Sequence, residues 1–358
     1  MITRLTLKDF RNYANTTFDF TEKNIVLFGD NGKGKTNILE AISLLSVGRS
    51  WRESSPADLI REGATNAIVQ ANDSDGNNYQ VMITSRSRSF SRNQKKQSFK
   101  KFFGNVPTLL FVPEYLTLFS AAKRDRQKFF DRFLFQISPQ YREDLTRCNK
   151  AVKQKNALLK SYKETVRTRG SSEFELSSLI APWNQILSET IPRIAHERMD
   201  LLKKLTPLVQ DSLQEMSHQK NSLDIQLVFP EKCEMTTEKV MAFFEYAQPR
   251  EIAAQKCLLG PQRDDFAFSF RGKPLTSTAS RGETRSVLLA LLVAQKKMFY
   301  DILHQHPLLL LDDVFSELDQ FRQDTLENLC NESQIFFTTT HESHFENFSH
   351  TLQRVEIK

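Results

Sequence analysis

The segment NIVLFGDNGKGKTNILEAI, from Asn24 to Ile42, narrows the folds open to this chain more than any other stretch. Its centre, Gly29-Asp30-Asn31-Gly32-Lys33-Gly34-Lys35-Thr36, fits G-x-x-x-x-G-K-[ST], with a β-branched, apolar strand pattern before it and a helical pattern after it. A strand that feeds a glycine-rich loop and then a helix N-terminus is an anion cradle. Glycines let backbone N–H groups close around phosphates, and the positive end of the helix dipole adds to their field. In that arrangement Lys35 reaches the β and γ phosphates and Thr36 offers its hydroxyl to Mg²⁺. The loop is expected to hold a nucleoside triphosphate. The bland alternative, a glycine-rich turn without a ligand, does not account for the flanking strand and helix.

Around this loop the texture of the chain changes twice. The first hundred residues read as strands separated by Asn, Asp and Gly: LTLKDF, TTFDF, NIVLF, NAIVQA and YQVMITS. From Pro113 to Gln248 the segments become charged, bear Leu and Phe and contain few glycines, which predicts mostly helix. After Ile252 strands return in RDDFAFSF, Leu308–Leu311, Ile335–Phe337 and RVEIK, with a helix from Ser280. At 358 residues the chain exceeds the size at which one core stops growing. The expectation is an α/β fold with two lobes: one from residues 1–112 and 250–358, with a mixed sheet, and an inserted, mainly helical lobe over 113–249. The serine-rich TSRSRSFSRNQ reads as a loop or hairpin tip.

A phosphate loop needs a metal-holding carboxylate, and PLLLLDDVFSELD supplies one. Four leucines read as a strand buried on both faces, with Asp312 and Asp313 at its carboxyl end. Asp312 would hold Mg²⁺ through water, and Asp313 would orient an attacking water. Alone, an acidic pair there serves equally well as an N-cap for a following helix. The phosphate loop in the same chain favours the metal. IFFTTTH ends a second strand with His341, placed to sense a γ-phosphate; in other company such a histidine is a surface residue. In ASRGETRSVLLALLVAQ, Ser280 and Glu283 form a capping box ahead of an apolar helix, the mark of an ordinary helix start. A Ser-x-Gly helix start upstream of an acid-tipped strand is also the layout of the ABC-type signature, which binds the γ-phosphate held by a second subunit.

In order, LKDFRNY, GDNGKGKTNILEAI, GRSWR, VPEYLTLFSAAKRDRQKFFD, LLGPQRDDFAFSF, SRGETRS and LLLLDDVFSELD resemble the RecF family, the bacterial ABC-type ATPases of recombinational gap repair, over nearly the whole chain. The resemblance implies an ABC-type ATPase head with ATP and Mg²⁺ as cofactors. It also implies slow, DNA-stimulated hydrolysis used as a switch, and an ATP-dependent head-to-tail homodimer on gapped or single-stranded/duplex junction DNA. Cooperation with RecR and RecO in loading RecA, and roles in replication restart and the SOS response, come with it. By position, Lys35 and Thr36 fall in the Walker A loop, Ser280 and Gly282 in the signature, and Asp312 and Asp313 in Walker B. Glu317 and Asp319 fall in the D-loop and His341 in the switch, with Lys35, Asp313 and His341 as the catalytic set. Arg11 and Asn12 of FRNY resemble the residues that flank the nucleotide. The chain departs from the family at Ser120–Ala122, where Gly or Pro is common, and at Glu283, where Gln often stands.

Charge bears on the partner. Forty-nine Lys and Arg against forty-three Asp and Glu leave a formal charge of +6, but the cations cluster. No acidic residue lies between Asp75 and Glu114, a stretch that holds Arg86, Arg88, Arg92, Lys95, Lys96, Lys100 and Lys101. Arg147 to Arg169 adds eight cations against Glu164 alone. A solvated surface and a DNA-backbone surface both fit such runs. With no helix-turn-helix, zinc finger or stacking motif, the DNA reading is of phosphate contacts independent of base sequence. A structural chromosome ATPase of the SMC kind shares the head motifs but needs a long coiled coil, for which the middle of this chain lacks sustained heptads. A small-molecule P-loop kinase would use Lys35 and Asp312 but has no use for SRGET. Transporter subunits would need a surface for membrane partners. The opening MITRLTLKDF alternates like a strand rather than a leader, and the apolar runs are too short to span a bilayer. Four scattered cysteines without C-x-x-C pairs fit a reducing compartment, so a cytoplasmic protein without membrane contact is expected.

Overall fold

A computed structural model of the chain describes residues 1–52, 55–169, 173–217, 222–314, 325–327, 329, 331–346 and 348–358. The Glu317 and Asp319 expected in the D-loop lie outside the described residues. Two compact units emerge: Met1–Leu118 with Leu208–Asn221 and Ala279–Lys358, and Phe119–Pro207 with Ser222–Thr278.

The first unit holds two sheets. β1 (Ile2–Phe10), β2 (Tyr13–Asp19), β4 (Asn66–Asp73), β5 (Asn78–Thr84), β6 (Arg88–Arg92) and β7 (Lys95–Gln97) form an antiparallel sheet in the order β2-β1-β4-β5-β6-β7. Period-two burial in β4 and β5 shows why: Ala67, Val69, Ala71, Tyr79, Val81 and Ile83 face inward and their neighbours outward. The serine-rich stretch forms β6 and the turns on either side of it. The second sheet is all parallel. Its strands β3 (Asn24–Phe28), β8 (Thr108–Phe111), β12 (Leu308–Leu311), β13 (Ile335–Thr339) and β14 (Leu352–Glu356) run in the order β14-β3-β13-β12-β8. The mixed character expected of one sheet is thus divided between two.

Helix α1 (Lys35–Val47) packs against β4 and β5 of one sheet and β8, β12 and β13 of the other. Every residue of α1 except Thr36 and Asn37 is buried, as suits a helix between two layers. Burying side chains such as Leu309, Leu310 and Leu311, all at 0% exposure, stabilises the fold by about 1.5–3 kcal/mol each. A short helix α2 (Phe99–Phe102) lies on β6.

The second unit contains α3 (Lys123–Ile137), α4 (Pro139–Arg169), most of α5 (Glu173–Ser217) and α6 (Thr237–Ala254). It also holds a small sheet of β9 (Leu223–Val228), β10 (Asp265–Phe270) and β11 (Lys273–Pro274), followed by α7 (Leu275–Thr278). β10 is the RDDFAFSF strand. Its antiparallel partner β9 lies in the region read as helical, so this strand groups with the second unit rather than with the chain ends. A buried arginine organises this unit. Arg198, 1% exposed, donates to Asp131 at 2.8 Å, to Asp264 at 2.8 Å and to the Pro261 carbonyl at 3.1 Å. Helix α8 (Arg281–Leu303) belongs to the first unit.

Candidate nucleotide site

Four parallel strands, β3, β13, β12 and β8, bring their carboxyl ends to one edge of the sheet, because Phe28 pairs with Thr339 and Leu311 with both Phe337 and Phe111. The loop Gly29–Thr36 leaves β3 at that edge. Gly29 has φ +141°, and a Cβ there would meet the Ile357 carbonyl oxygen at 2.5 Å; at Gly34, φ +109°, a Cβ would meet the Asn12 side chain at 2.6 Å. Only glycine fits either place. Asp30, Asn31, Gly32 and Lys33 are exposed at the loop's crest. The Lys35 ammonium donates to the carbonyls of Gly29 (2.6 Å) and Asp30 (2.9 Å), so it lies across the mouth of the loop. Burial lowers its pKa, opposed by Asp313, Asp312 and Asp30.

The N-terminus of α1 has no side-chain cap and no acidic residue in its first turn. Among the first unit's long helices it differs in this from α8, and an unfilled helix N-terminus against glycine N–H groups suits a phosphate. Thr36 donates its hydroxyl to the Asp312 carboxylate, at 2.9 Å and 3.0 Å. A hydroxyl that spends its proton there keeps its lone pairs for a cation, so the donor set of Thr36 and Asp312 fits Mg²⁺. Asp312 is 8% exposed; burial raises its pKa, while hydrogen bonds from Thr338 and Thr36 oppose the shift. Asp313 follows in a left-handed conformation, φ 46°, its N–H donating to Thr338 Oγ1 at 2.9 Å. His341 is exposed just beyond β13, its N–H donating to Thr339 Oγ1 at 3.2 Å.

The FRNY corner braces the loop from the side. Asn12 donates to the Lys33 carbonyl at 2.8 Å and accepts from Asn37 at 2.9 Å, and Tyr13 donates its hydroxyl to the Gly34 carbonyl at 3.2 Å. Burial raises the Tyr13 pKa further above its ordinary value. Arg11 points elsewhere. Its guanidinium forms a fork on Glu40 (2.8 and 2.7 Å) and donates to the Asp58 carbonyl at 2.6 Å. Glu40 is 0% exposed and also accepts from Ser50 of GRSWR. Arg11 therefore holds α1 from behind, whereas Asn12 touches the loop itself.

The remaining expected residues lie on α8 and in the basic stretch. Ser280 caps α8 through a complete capping box: it accepts from Glu283 N–H at 3.2 Å, and its own N–H donates to Glu283 Oε2 at 2.8 Å. Gly282 lies in that first turn. Of the basic stretch, Arg86, Lys95, Lys96, Lys100 and Lys101 are exposed and Arg88 is half-buried. Arg92 is engaged internally, donating to Asn105 (2.9 Å) and Asn77 (3.0 Å) with its guanidinium 5.5 Å from the Tyr79 ring centre. Sequence reasoning missed Thr338, Tyr13, Asn37 and Glu40. Only Thr338 carried a usable signal, as a hydroxyl in an otherwise apolar buried strand beside the acid-tipped one.

Comparison with known proteins identifies the family and the fold. The family model for the RecF/RecN/SMC N terminal domain matches residues 1–358. The DNA replication and repair protein RecF of Ruminiclostridium cellulolyticum is 33% identical over 364 residues, covering 97% of this chain and 94% of that protein. RecF of Streptococcus suis is 33% identical, covering 99% and 97%. A structure described as the recombination mediator protein RecF-ATPrS in the RecFOR pathway superposes with a TM-score of 0.85 at 25% identity, covering 99% of this chain and 96% of the other. An Smc head domain from Pyrococcus furiosus, at 15% identity and a TM-score of 0.52, shares the fold. Among the described residues, no helix is long and apolar enough to cross a membrane.

Proposed function

Because this chain belongs to the RecF family within the RecF/RecN/SMC proteins, we propose that it is an ATP-dependent DNA-binding protein of recombinational repair whose nucleotide closes a head-to-tail dimer. The observation that carries the reading is the contact of Thr36 with Asp312 beside an uncapped α1, all at one edge of a parallel sheet. Gly29–Thr36 would cradle the triphosphate, with Lys35 at the β and γ phosphates. Thr36 and Asp312 would hold Mg²⁺. The chemistry supplied by bound MgATP is phosphoryl transfer to water. Asp313 would orient that water and accept its proton, and His341 would sit near the γ-phosphate. Asp313 is one methylene shorter than glutamate, so hydrolysis is expected to be slow: a carboxylate displaced by ~1 Å from its water loses on the order of a hundredfold.

The γ-phosphate side away from Lys35 is left to a second copy. Its Ser280–Gly282 helix start would cover the phosphate, after exchanging part of the capping box for the new anion. Two equivalent sites per dimer follow. The exposed Arg86, Lys95, Lys96, Lys100 and Lys101, with Arg88, would contact DNA phosphates. The gapped or junction DNA, and partnership with RecO and RecR in loading RecA, are carried over from the family.

The test is a gel shift of gapped DNA with and without ATP, alongside light scattering of the parent and Ser280→Arg. The parent is expected to shift DNA and dimerise only with ATP. Ser280→Arg should bind ATP as a monomer and fail to dimerise, because a long cation obstructs the contact across the interface. Dimerisation of Ser280→Arg on ATP would sink the signature assignment, and an ATP-independent shift would sink the switch.

A further inference from the structure

β13 carries a residue whose chemistry its surroundings do not call for. Ile335, Phe336 and Phe337 are all 0% exposed, and Thr338 follows them at 1%, a place where valine would fill the same volume without a polar atom to satisfy. Its hydroxyl both donates and accepts. Oγ1 donates to Asp312 Oδ1 at 2.6 Å, and accepts the Asp313 N–H at 2.9 Å. The register explains the fit: Leu311 pairs with Phe337, so Thr338 is one step further along and level with Asp312. On its other side Thr338 pairs with Leu27 of β3, the strand that launches the phosphate loop.

We infer that Thr338 is a positioning residue for the metal-nucleotide site, using one hydroxyl to aim the Asp312 carboxylate and to hold Asp313 in its left-handed turn. This rests on the ATP-site reading above. Two donors converge on Asp312 Oδ1, Thr338 at 2.6 Å and Thr36 at 2.9 Å. With Thr338 in place the carboxylate cannot rotate away, and the Thr36 proton stays committed to it, which keeps the Thr36 lone pairs turned outward. The φ of 46° at Asp313 is a conformation that non-glycine residues rarely adopt, and the hydrogen bond from its N–H to Thr338 holds it there. Partners that orient metal-holding side chains typically change metal affinity by about 10–100-fold when removed. The neighbouring Thr339 hydroxyl donates to the His341 carbonyl at 3.1 Å.

Thr338→Val and Thr338→Ser separate positioning from packing. A fluorescent ATP analogue is titrated into each protein, first with a chelator and then over a Mg²⁺ series, with hydrolysis measured in parallel. Thr338→Val should match the parent in the chelator, need about 10–100-fold more Mg²⁺ for half-maximal enhancement of binding, and hydrolyse more slowly. Thr338→Ser, which keeps the hydroxyl and loses a methyl, should restore the parent's Mg²⁺ dependence. The inference is overturned if Thr338→Val has the parent's Mg²⁺ dependence, or if Thr338→Ser shifts as a valine would. Should the valine protein not fold, a shifted Mg²⁺ dependence in the serine protein still overturns the inference. A parent that binds no analogue at any Mg²⁺ concentration would instead overturn the ATP-site reading itself.

Discussion

Replacing Arg11 by Met tests whether FRNY supports the nucleotide loop or contacts the nucleotide. Arg11 forms two hydrogen bonds to Glu40, whose side chain is 0% exposed, whereas the Arg11 side chain is 22% exposed. Removing the arginine leaves a buried carboxylate with the Ser50 hydroxyl as a remaining donor. Breaking a buried pair from one side costs about 3–5 kcal/mol; partial access along the vacated arginine channel argues for the lower end, about 3 kcal/mol. Glu40→Met leaves Arg11 with the Asp58 carbonyl and some solvent, and should cost about 2 kcal/mol. The double replacement removes both charges, so it should cost about 2 kcal/mol rather than the sum, a coupling of about 3 kcal/mol. Urea denaturation followed by Trp51 fluorescence in a Trp183→Phe background reads the first unit, since these are the chain's two tryptophans and Trp183 lies in the second. ATP titration of the double variant completes the test. A brace predicts near-parental affinity for the folded double variant, while a direct nucleotide contact predicts affinity lost in the Arg11→Met and double variants alike. Arg11→Met within about 1 kcal/mol of the parent, or strictly additive costs, would refute the buried-pair reasoning.

Lys35→Met should keep the parent's melting temperature and lose ATP affinity, because the ammonium's contacts are to carbonyls of the loop it serves; equal affinity by calorimetry would remove Lys35 from the site. Lys95→Glu with Lys96→Glu should weaken duplex binding whatever the base sequence, flattening log K against log salt by about 0.9 per lost phosphate contact. Arg92 is left out of that pair because its charge is committed to Asn105, Asn77 and Tyr79, and a parental slope would reduce the stretch to solvated surface. In the second unit, burial raises Asp264 from 3.8 to about 6, against the pull of Arg198. A raised folded pKa contributes stability that is complete below pH 3.8 and is lost as pH rises through 6. Relative to Asp264→Asn, the parent should therefore lose on the order of 3 kcal/mol between pH 4 and pH 7 in urea melts, and a flat difference would contradict it.

What the sequence made legible was local. The glycine spacing of Gly29–Thr36, the four leucines ahead of Asp312 and the capping box at Ser280 are each written within a dozen residues, and each stands as an element end in the structure. What stayed hidden was set by pairing across distance. Nothing in FRNY points Arg11 to Glu40, 29 residues away. Arg92 looked like its basic neighbours until β6 turned it onto Tyr79 of the adjacent strand. β9 is masked by its setting, because SLDIQLV lies among helices although its burial alternates. The division of strands between a parallel and an antiparallel sheet likewise depends on β3, whose partners come from the far end of the chain.

That last feature sets the order in which the protein can be built during synthesis. β1 with β2, and β4 through β7 in turn, are joined by short antiparallel connections, and β4 reaches β1 across the segment that holds β3 and α1, so this sheet can pair soon after it leaves the ribosome. β3 cannot. Its hydrogen-bonded neighbours are β13 and β14, which follow it by about 300 residues. At about 5–20 residues per second, NIVLF waits roughly 15–60 s with both edges unpaired while the second unit is translated. For that interval an apolar strand and the glycine loop behind it are open to mispairing with another nascent chain, and shielding by a chaperone would matter most there. The nucleotide loop is synthesised long before the strands that wall it.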